Sequence, residues 1–197
     1  MRRLLTIVEG HGDVRAVPQL VRRILERHGI YDVQLLPTQR RGEYPSVTKL
    51  FDTYFLAAIK ENAAILWVMD FDAKEYDCPY REARNLIARA NALRPNWPLK
   101  IAFLVKEYET LFIHDKDATR AVFPDIKDIP FPVKPEDIRG AKEWLSAQRP
   151  SGMAYKETVH QEKITARLDL DLLREKSPDF AHLERAVLAL IDAPVPV

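Results

Sequence analysis

The sequence predicts an α/β fold: a parallel sheet of about four strands flanked by helices, with a helical C-terminal extension. Short apolar runs alternate with longer stretches of helical periodicity as far as residue 112. The runs are apolar throughout rather than alternating, as expected of strands covered on both faces in a parallel sheet. Beyond residue 112 a proline-rich stretch, "DIKDIPFPVKPED", gives way to segments with helical spacing and no strong strand.

Leu4 to Val8 reads as the first buried strand. The two arginines and short apolar run of "MRRLLTIVEG" look like the start of a signal peptide. The run breaks at Glu9 with no small-residue cleavage site, so a strand is expected. From Asp13 apolar residues recur at helical spacing, with Asp13 as the expected N-cap and Gly29 as the stop. Pro18 falls early enough to be tolerated with a kink. "YDVQLLP" is a short second strand and "TQRRGEYP" a polar loop. "SVTKLFDTYFLAAIKE" is a helix with Ser46 as its cap. "AAILWVMDFD" is the clearest buried strand, "YREARNLIARANAL" a helix, and "LKIAFLVKEYE" the fourth strand. The later segments "PEDIRGAKEWLSAQ", "QEKITARLDLDLLREK" and "SPDFAHLERAVLALID" are expected helices. In the last, Ser177 caps and Pro178 occupies the first turn. "APVPV" is expected to be a loose tail. The division is therefore 1–115, the α/β core, and 116–197, a helical extension packed on it.

Composition narrows the function. With 197 residues, 47% hydrophobic and 30% charged, the chain reads as a soluble globular protein expected in the cytoplasm. No run is long and apolar enough to span a bilayer, so no membrane partner is expected. The net charge of +1 provides no general attraction to nucleic acid, although it can hide local patches. Cys78 is the single cysteine, which excludes an intrachain disulfide; without a CxxC partner or an activating base it is no candidate nucleophile.

Three strands end on acids. The first runs into Glu9 with Asp13 behind it, the third into Asp70 and Asp72, the fourth into Glu107 and Glu109. Ligands of open parallel sheets bind beyond the carboxyl ends of the strands, so these acids would meet at one edge. Clustered carboxylates need cations or protons. An all-oxygen set suits Mg²⁺ or Mn²⁺, and with them phosphoryl transfer or phosphodiester cleavage. Each acid also has a plainer role: Asp13 as a cap, Asp70 closing a turn, Glu107 and Glu109 in the solvated first turn of a helix. Three acidic strand ends together favour a site.

The pattern Glu9-x-x-x-Asp13 after a first strand, Asp70-x-Asp72 after a third and an acid after the next resembles the Toprim domain. That Rossmann-like fold is shared by topoisomerases, bacterial primases, small ribosomal-RNA maturases and the overcoming-lysogenization-defect (OLD) nucleases. The ExxxD form looks most like the OLD type. The wider text "VEGHGD…VMDFD…KEYETLF…YKETVHQ…SPDF" resembles a domain-of-unknown-function family with a Toprim-like core, often found in bacterial genomes. The resemblance implies metal ligation by Glu9, Asp13, Asp70, Asp72 and Glu109, with Glu107 less well matched, and a catalytic role for Glu9 and Asp13. It also implies a charge-stabilising lysine, for which Lys156 and Lys142 are candidates. The third acid of the common DxDxD pattern is replaced here by Lys74, as in the OLD type rather than the topoisomerases. The chain has no GxxxxGK[ST]. An ATPase, which OLD nucleases carry, is therefore expected as a separate partner if at all. A role in phage defence or DNA repair and a homodimer are further expectations.

Gly10 and Gly12 leave the loop free for unusual angles and close approach of a phosphate or metal. His11 between them reads as an exposed loop residue or a phosphate contact. His114 and His160 lack zinc-like spacing. Arg40 and Arg41 fall on the sheet edge of the acids, where they would hold substrate phosphates or form a solvated turn. Trp67 and Phe103 are expected in the core, and Trp144 where the C-terminal region docks. Three functions follow: a Mg²⁺- or Mn²⁺-dependent nuclease on nucleic acid, DNA ahead of RNA; a non-catalytic scaffold or regulatory module; and a metal-dependent phosphatase using Asp70-Phe71-Asp72.

Overall fold

The computed structural model describes residues 1–72, 78–126, 130–132 and 134–196. Lys74 lies outside the described residues. The strands are β1 (Arg2–Val8), β2 (Val33–Leu35), β3 (Gln39–Arg40), β4 (Ala64–Phe71) and β5 (Leu99–Val105). The helices of the first half are α1 (Asp13–Arg27), α2 (Tyr44–Ala58) and α3 (Pro79–Leu93). Then follow α4 (Thr110–His114), α5 (Lys116–Val122), α6 (Ala141–Ala147), α7 (Glu157–Thr165), α8 (Leu170–Lys176) and α9 (Pro178–Ile191). All strand pairs are parallel, in the order β2-β1-β4-β5, with β3 also paired to β1.

The predicted α/β class with a parallel sheet is the observed one. Strand residues alternate between two apolar faces. Leu4, Val8, Leu66, Val68, Ala102 and Leu104 pack with α1 and α9. Leu5, Ile7, Ile65, Trp67, Met69 and Phe103 pack with α2 and α3. Burial on both sides explains why the strands read as unbroken apolar runs. Trp67 and Phe103 are buried, and Trp144 meets Phe131 edge to face. No helix among the described residues is long and apolar enough to cross a membrane.

Several local readings change. Gln39 and Arg40, expected in a loop, pair with Ile7 and Val8. They resume the edge that β2 began, on the far side of Pro37, which has no N–H to donate. Helix α2 starts at Tyr44, ahead of Ser46, with Pro45 in its first turn and no side-chain cap bond. The segment expected as one helix over 161–176 is two. The Arg23 guanidinium donates to the carbonyls of Thr165 and Leu168 at the end of α7, and Asp169 caps α8 by accepting from Asp171 and Leu172. The expected helix over 135–148 shortens to α6, because Gly140 turns the chain at φ +70°. Ser177 caps α9 as expected, its Oγ accepting from the Phe180 amide.

Candidate functional site

The register sets the site. β1 ends beside β4, and β4 runs on with Asp70 opposite Leu104 of β5. Glu9, Asp70 and the β5–α4 loop therefore leave the sheet at one edge. A cleft of about 340 Å³ there is lined by Glu9, Glu43, Asp70, Asp72, Lys106 and Lys142, among others.

Asp13 is the first residue of α1, with Gly12 in the cap position, and it does not cap the helix. Its Oδ2 turns back to accept from the Gly10 amide at 2.7 Å, and its Oδ1 accepts from Gln161 Nε2 at 2.5 Å. Asp70 Oδ1 accepts from the Tyr108 amide at 2.9 Å, which ties the β5–α4 loop to the end of β4. Glu109 precedes α4 and is 1% exposed, far from the solvated helix turn of the plainer expectation. Its Oε1 accepts from Tyr155 OH at 2.8 Å. Among the described residues, Glu9 Oε2 and Glu109 Oε2 are buried without a hydrogen-bond partner. Asp72 is exposed and lies 3.6 Å from Lys106 Nζ. Lys106 holds φ +72°, a left-handed conformation that costs a non-glycine residue about 1–3 kcal/mol.

Lys142 stands among the acids. It lies in the first turn of α6, its backbone N–H donating to Glu107 Oε2 at 3.2 Å. Its Nζ is 3.3 Å from Glu157 and 3.9 Å from Glu109 Oε2. Burial alone would lower its pKa; Glu109, Asp70 and Glu157 outweigh burial and raise it. Lys156 is exposed ahead of α7, its backbone N–H donating to His160 Nδ1. Of the two candidate lysines, it is Lys142 that pairs with Glu109.

Four of the acids have a raised proton affinity. Burial, then Asp13 and Glu43, push Glu9 up to about 7. Burial pushes Glu109 up to about 8 against the pull of Lys142 and Tyr155. Burial, then Asp13, Glu109 and Glu9, raise Asp70 well above the carboxylate range. Asp13 is raised by burial against its two hydrogen bonds. Such a group binds protons or takes up positive charge.

The donor set is oxygen and carboxylate-rich, which fits a hard divalent cation, and the orphaned oxygens of Glu9 and Glu109 are free to serve it. Among the described residues, no three His, Cys, Asp or Glu side chains stand close enough to hold a metal as they are. Asp13, with both oxygens engaged, is the least available.

Neither Gly10 nor Gly12 has positive φ, so unusual backbone angles are not why they are glycine. A Cβ on Gly12 would fall 1.8 Å from Gln161 Oε1, so the close approach is to a side chain of this chain. His11 is exposed. Arg40 is exposed at the end of β3 beside Val8. Arg41 bonds Gln39 and lies over the Tyr54 ring. Sequence reading passed over Tyr155 and Gln161, although both fall in the quoted stretch "YKETVHQ". Gln161 is 148 positions from its partner Asp13, and no spacing rule reaches that far.

The chain belongs to the family described as Domain of unknown function (DUF4276), whose model matches residues 8–188. No curated protein matches the chain. Among solved structures, it is similar to the C-terminal region of the Burkholderia pseudomallei OLD protein, at 15% identity over 98% of each chain and a TM-score of 0.44. It is also similar to the C-terminal region of the Xanthomonas campestris pv. campestris OLD protein. That likeness has 14% identity, covers 97% of this chain and 93% of the other, and has a TM-score of 0.43.

Proposed function

We propose that this member of the family is a Mg²⁺- or Mn²⁺-dependent, Toprim-like nuclease that processes phosphodiesters of nucleic acid, DNA ahead of RNA. One observation carries the reading: Glu9 and Asp70 line one cleft with Lys142, whose ammonium also faces Glu109, and Glu9 and Glu109 each keep a buried oxygen without a hydrogen-bond partner. The ExxxD and DxD motifs supply Glu9 and Asp70, and Glu109 follows the next strand.

Glu9, Asp70, Asp72 and Glu109 would hold the cation, and Asp13 would orient the loop between β1 and α1. When bound, the cation would polarise a phosphate oxygen and make water a stronger nucleophile. Lys142 would offset the charge that builds on the phosphate, and Glu9, in the alternative in which it stays out of the cation's ligand set, would take or return a proton. Arg40, at the same edge, would hold a substrate phosphate. With a net charge of +1, attraction to nucleic acid would be local to that edge. A separate ATPase partner, homodimerisation, cytoplasmic location and work in phage defence or DNA repair belong to the same proposal.

The test is a titration of Mn²⁺ and Mg²⁺ into wild type and Asp70→Ala. Both proteins are then assayed on supercoiled plasmid, single strands and a generic phosphate ester. Metal-dependent strand cleavage that is lost in Asp70→Ala is the expected result. Hydrolysis of the ester alone would make the chain a phosphatase, and a wild type that binds no metal would make it a scaffold. A pull-down from the native host that recovers no ATPase would remove that partner.

A further inference from the structure

Residues up to 109 supply the acids, but the donors that orient two of them come from one short stretch further along the chain. Tyr155 is 8% exposed and Gln161 is 2% exposed, and each spends its polar end on one carboxylate oxygen. Tyr155 OH takes Glu109 Oε1 and leaves Oε2 without a partner, 3.9 Å from Lys142 Nζ. Gln161 Nε2 takes Asp13 Oδ1, while the Gly10 amide takes Oδ2, so the β1–α1 loop is pinned from both sides. Gln161 can come this near only because residue 12 has no Cβ. The same stretch gives Glu157 to Lys142. It is anchored elsewhere: Thr165, at the end of α7, receives the Arg23 guanidinium on its carbonyl, and its Oγ1 bonds Tyr108 OH at 3.1 Å.

Glu109, with Oε1 held by a fixed donor, keeps a single orientation and can present Oε2 to a ligand, while Asp13, with both oxygens held, fixes the loop that carries Glu9. We propose that Tyr155 and Gln161 are positioning residues, which fix Glu109 and Asp13 so that the site can take a divalent cation. The consequence is that 155–161 is part of the site, acting through the acids without touching the cation. The proposal deepens the nuclease reading and rests on it for the identity of the ligand.

The experiment measures Mn²⁺ affinity by calorimetry and electron paramagnetic resonance for wild type, Tyr155→Phe and Gln161→Met, with thermal melts of each. It also records the side-chain amide signals of Gln161 by NMR without metal, in wild type and Asp13→Asn. Loss of such an outer partner weakens metal binding about 10- to 100-fold. The expected result is a loss of that size in both variants while they stay folded at the assay temperature. Tyr155→Phe removes one oxygen atom and keeps the ring, so it remains informative if Gln161→Met does not fold. Variants that bind Mn²⁺ within about twofold of wild type, whatever their melting temperature, would reduce the pair to a structural role and overturn the proposal. If wild type binds no Mn²⁺, the cation reading fails and the positioning claim is decided without metal. Gln161 amide protons that are shifted and slow to exchange in wild type, and lose both properties in Asp13→Asn, would sustain the clamp. Signals typical of a free amide in wild type would end it.

Discussion

Glu109 should make the metal-free protein less stable as pH rises, the reverse of an ion-paired surface acid. Its folded pKa, near 8, lies above the ordinary 4.5, so the folded state binds this proton more tightly than the unfolded chain. Below 4.5 the group is protonated in both states and contributes no difference. Between 4.5 and 8 the unfolded chain ionises first, and stability falls with each step in pH. At about 1.4 kcal/mol per pH unit, a carboxylate ionised in this place disfavours folding by on the order of 5 kcal/mol. Glu109→Gln removes that penalty, in which the attraction of Lys142 is already counted, but buries amide donors where Glu109 Oε2 has no hydrogen-bond partner, so a net gain of about 2 kcal/mol at pH 8.5 is expected. For a chain of this size that corresponds to roughly 4–8 °C in melting temperature. The assay is a set of thermal melts in EDTA from pH 5.5 to 8.5. Wild type should lose stability across the range, with Glu9, near 7, contributing to the same slope. The Glu109→Gln profile should be flatter and cross above it. Parallel profiles, or a wild type that gains stability with pH, would refute the reasoning.

Gly12→Ala should destabilise the fold by about 1–3 kcal/mol, since its Cβ would overlap Gln161 Oε1 and press on Glu157 Cβ at 3.0 Å; urea unfolding measures it. Ser177→Ala removes the cap of α9 and should cost about 1 kcal/mol, with the loss seen as earlier thermal unfolding of the whole sheet that α9 covers. Arg174→Ala should cost about 2 kcal/mol, because Glu184, 5% exposed, would keep His28 alone as a partner among the described residues. Hydrogen bonding by Arg174 lowers the Glu184 pKa, so this contribution is present above the unfolded value and disappears as pH falls through the folded one. The acid limb of the pH–stability curve should therefore shift in the variant.

The sheet and its neighbouring helices were legible because their signals are local. Strands buried on both faces are apolar at every position, α1 shows its core stripe, and Ser177-Pro178 announces a helix start. The candidate acids were legible for the same reason: each ends an apolar run or follows it within a few residues. The helical second half was less so. The break between α7 and α8 depends on Arg23, more than 140 positions upstream, reaching two carbonyls at that point. The edge strand β3 depends on β1 offering Ile7 and Val8 to a segment with no hydrophobic pattern of its own.

By itself the sequence determined which residues could enter a carboxylate site, because strand ends in a parallel sheet share an edge. Only the tertiary structure decided how those residues are held. It brought Lys142 to Glu109 and left Lys156 in solvent, placed Tyr155 and Gln161 on single carboxylate oxygens, and gave Asp13 to the loop in place of the helix cap. The physical reason is range. Burial patterns and caps act within a few residues, whereas the partner of a buried charge is whichever group the packing of distant helices brings within hydrogen-bonding distance.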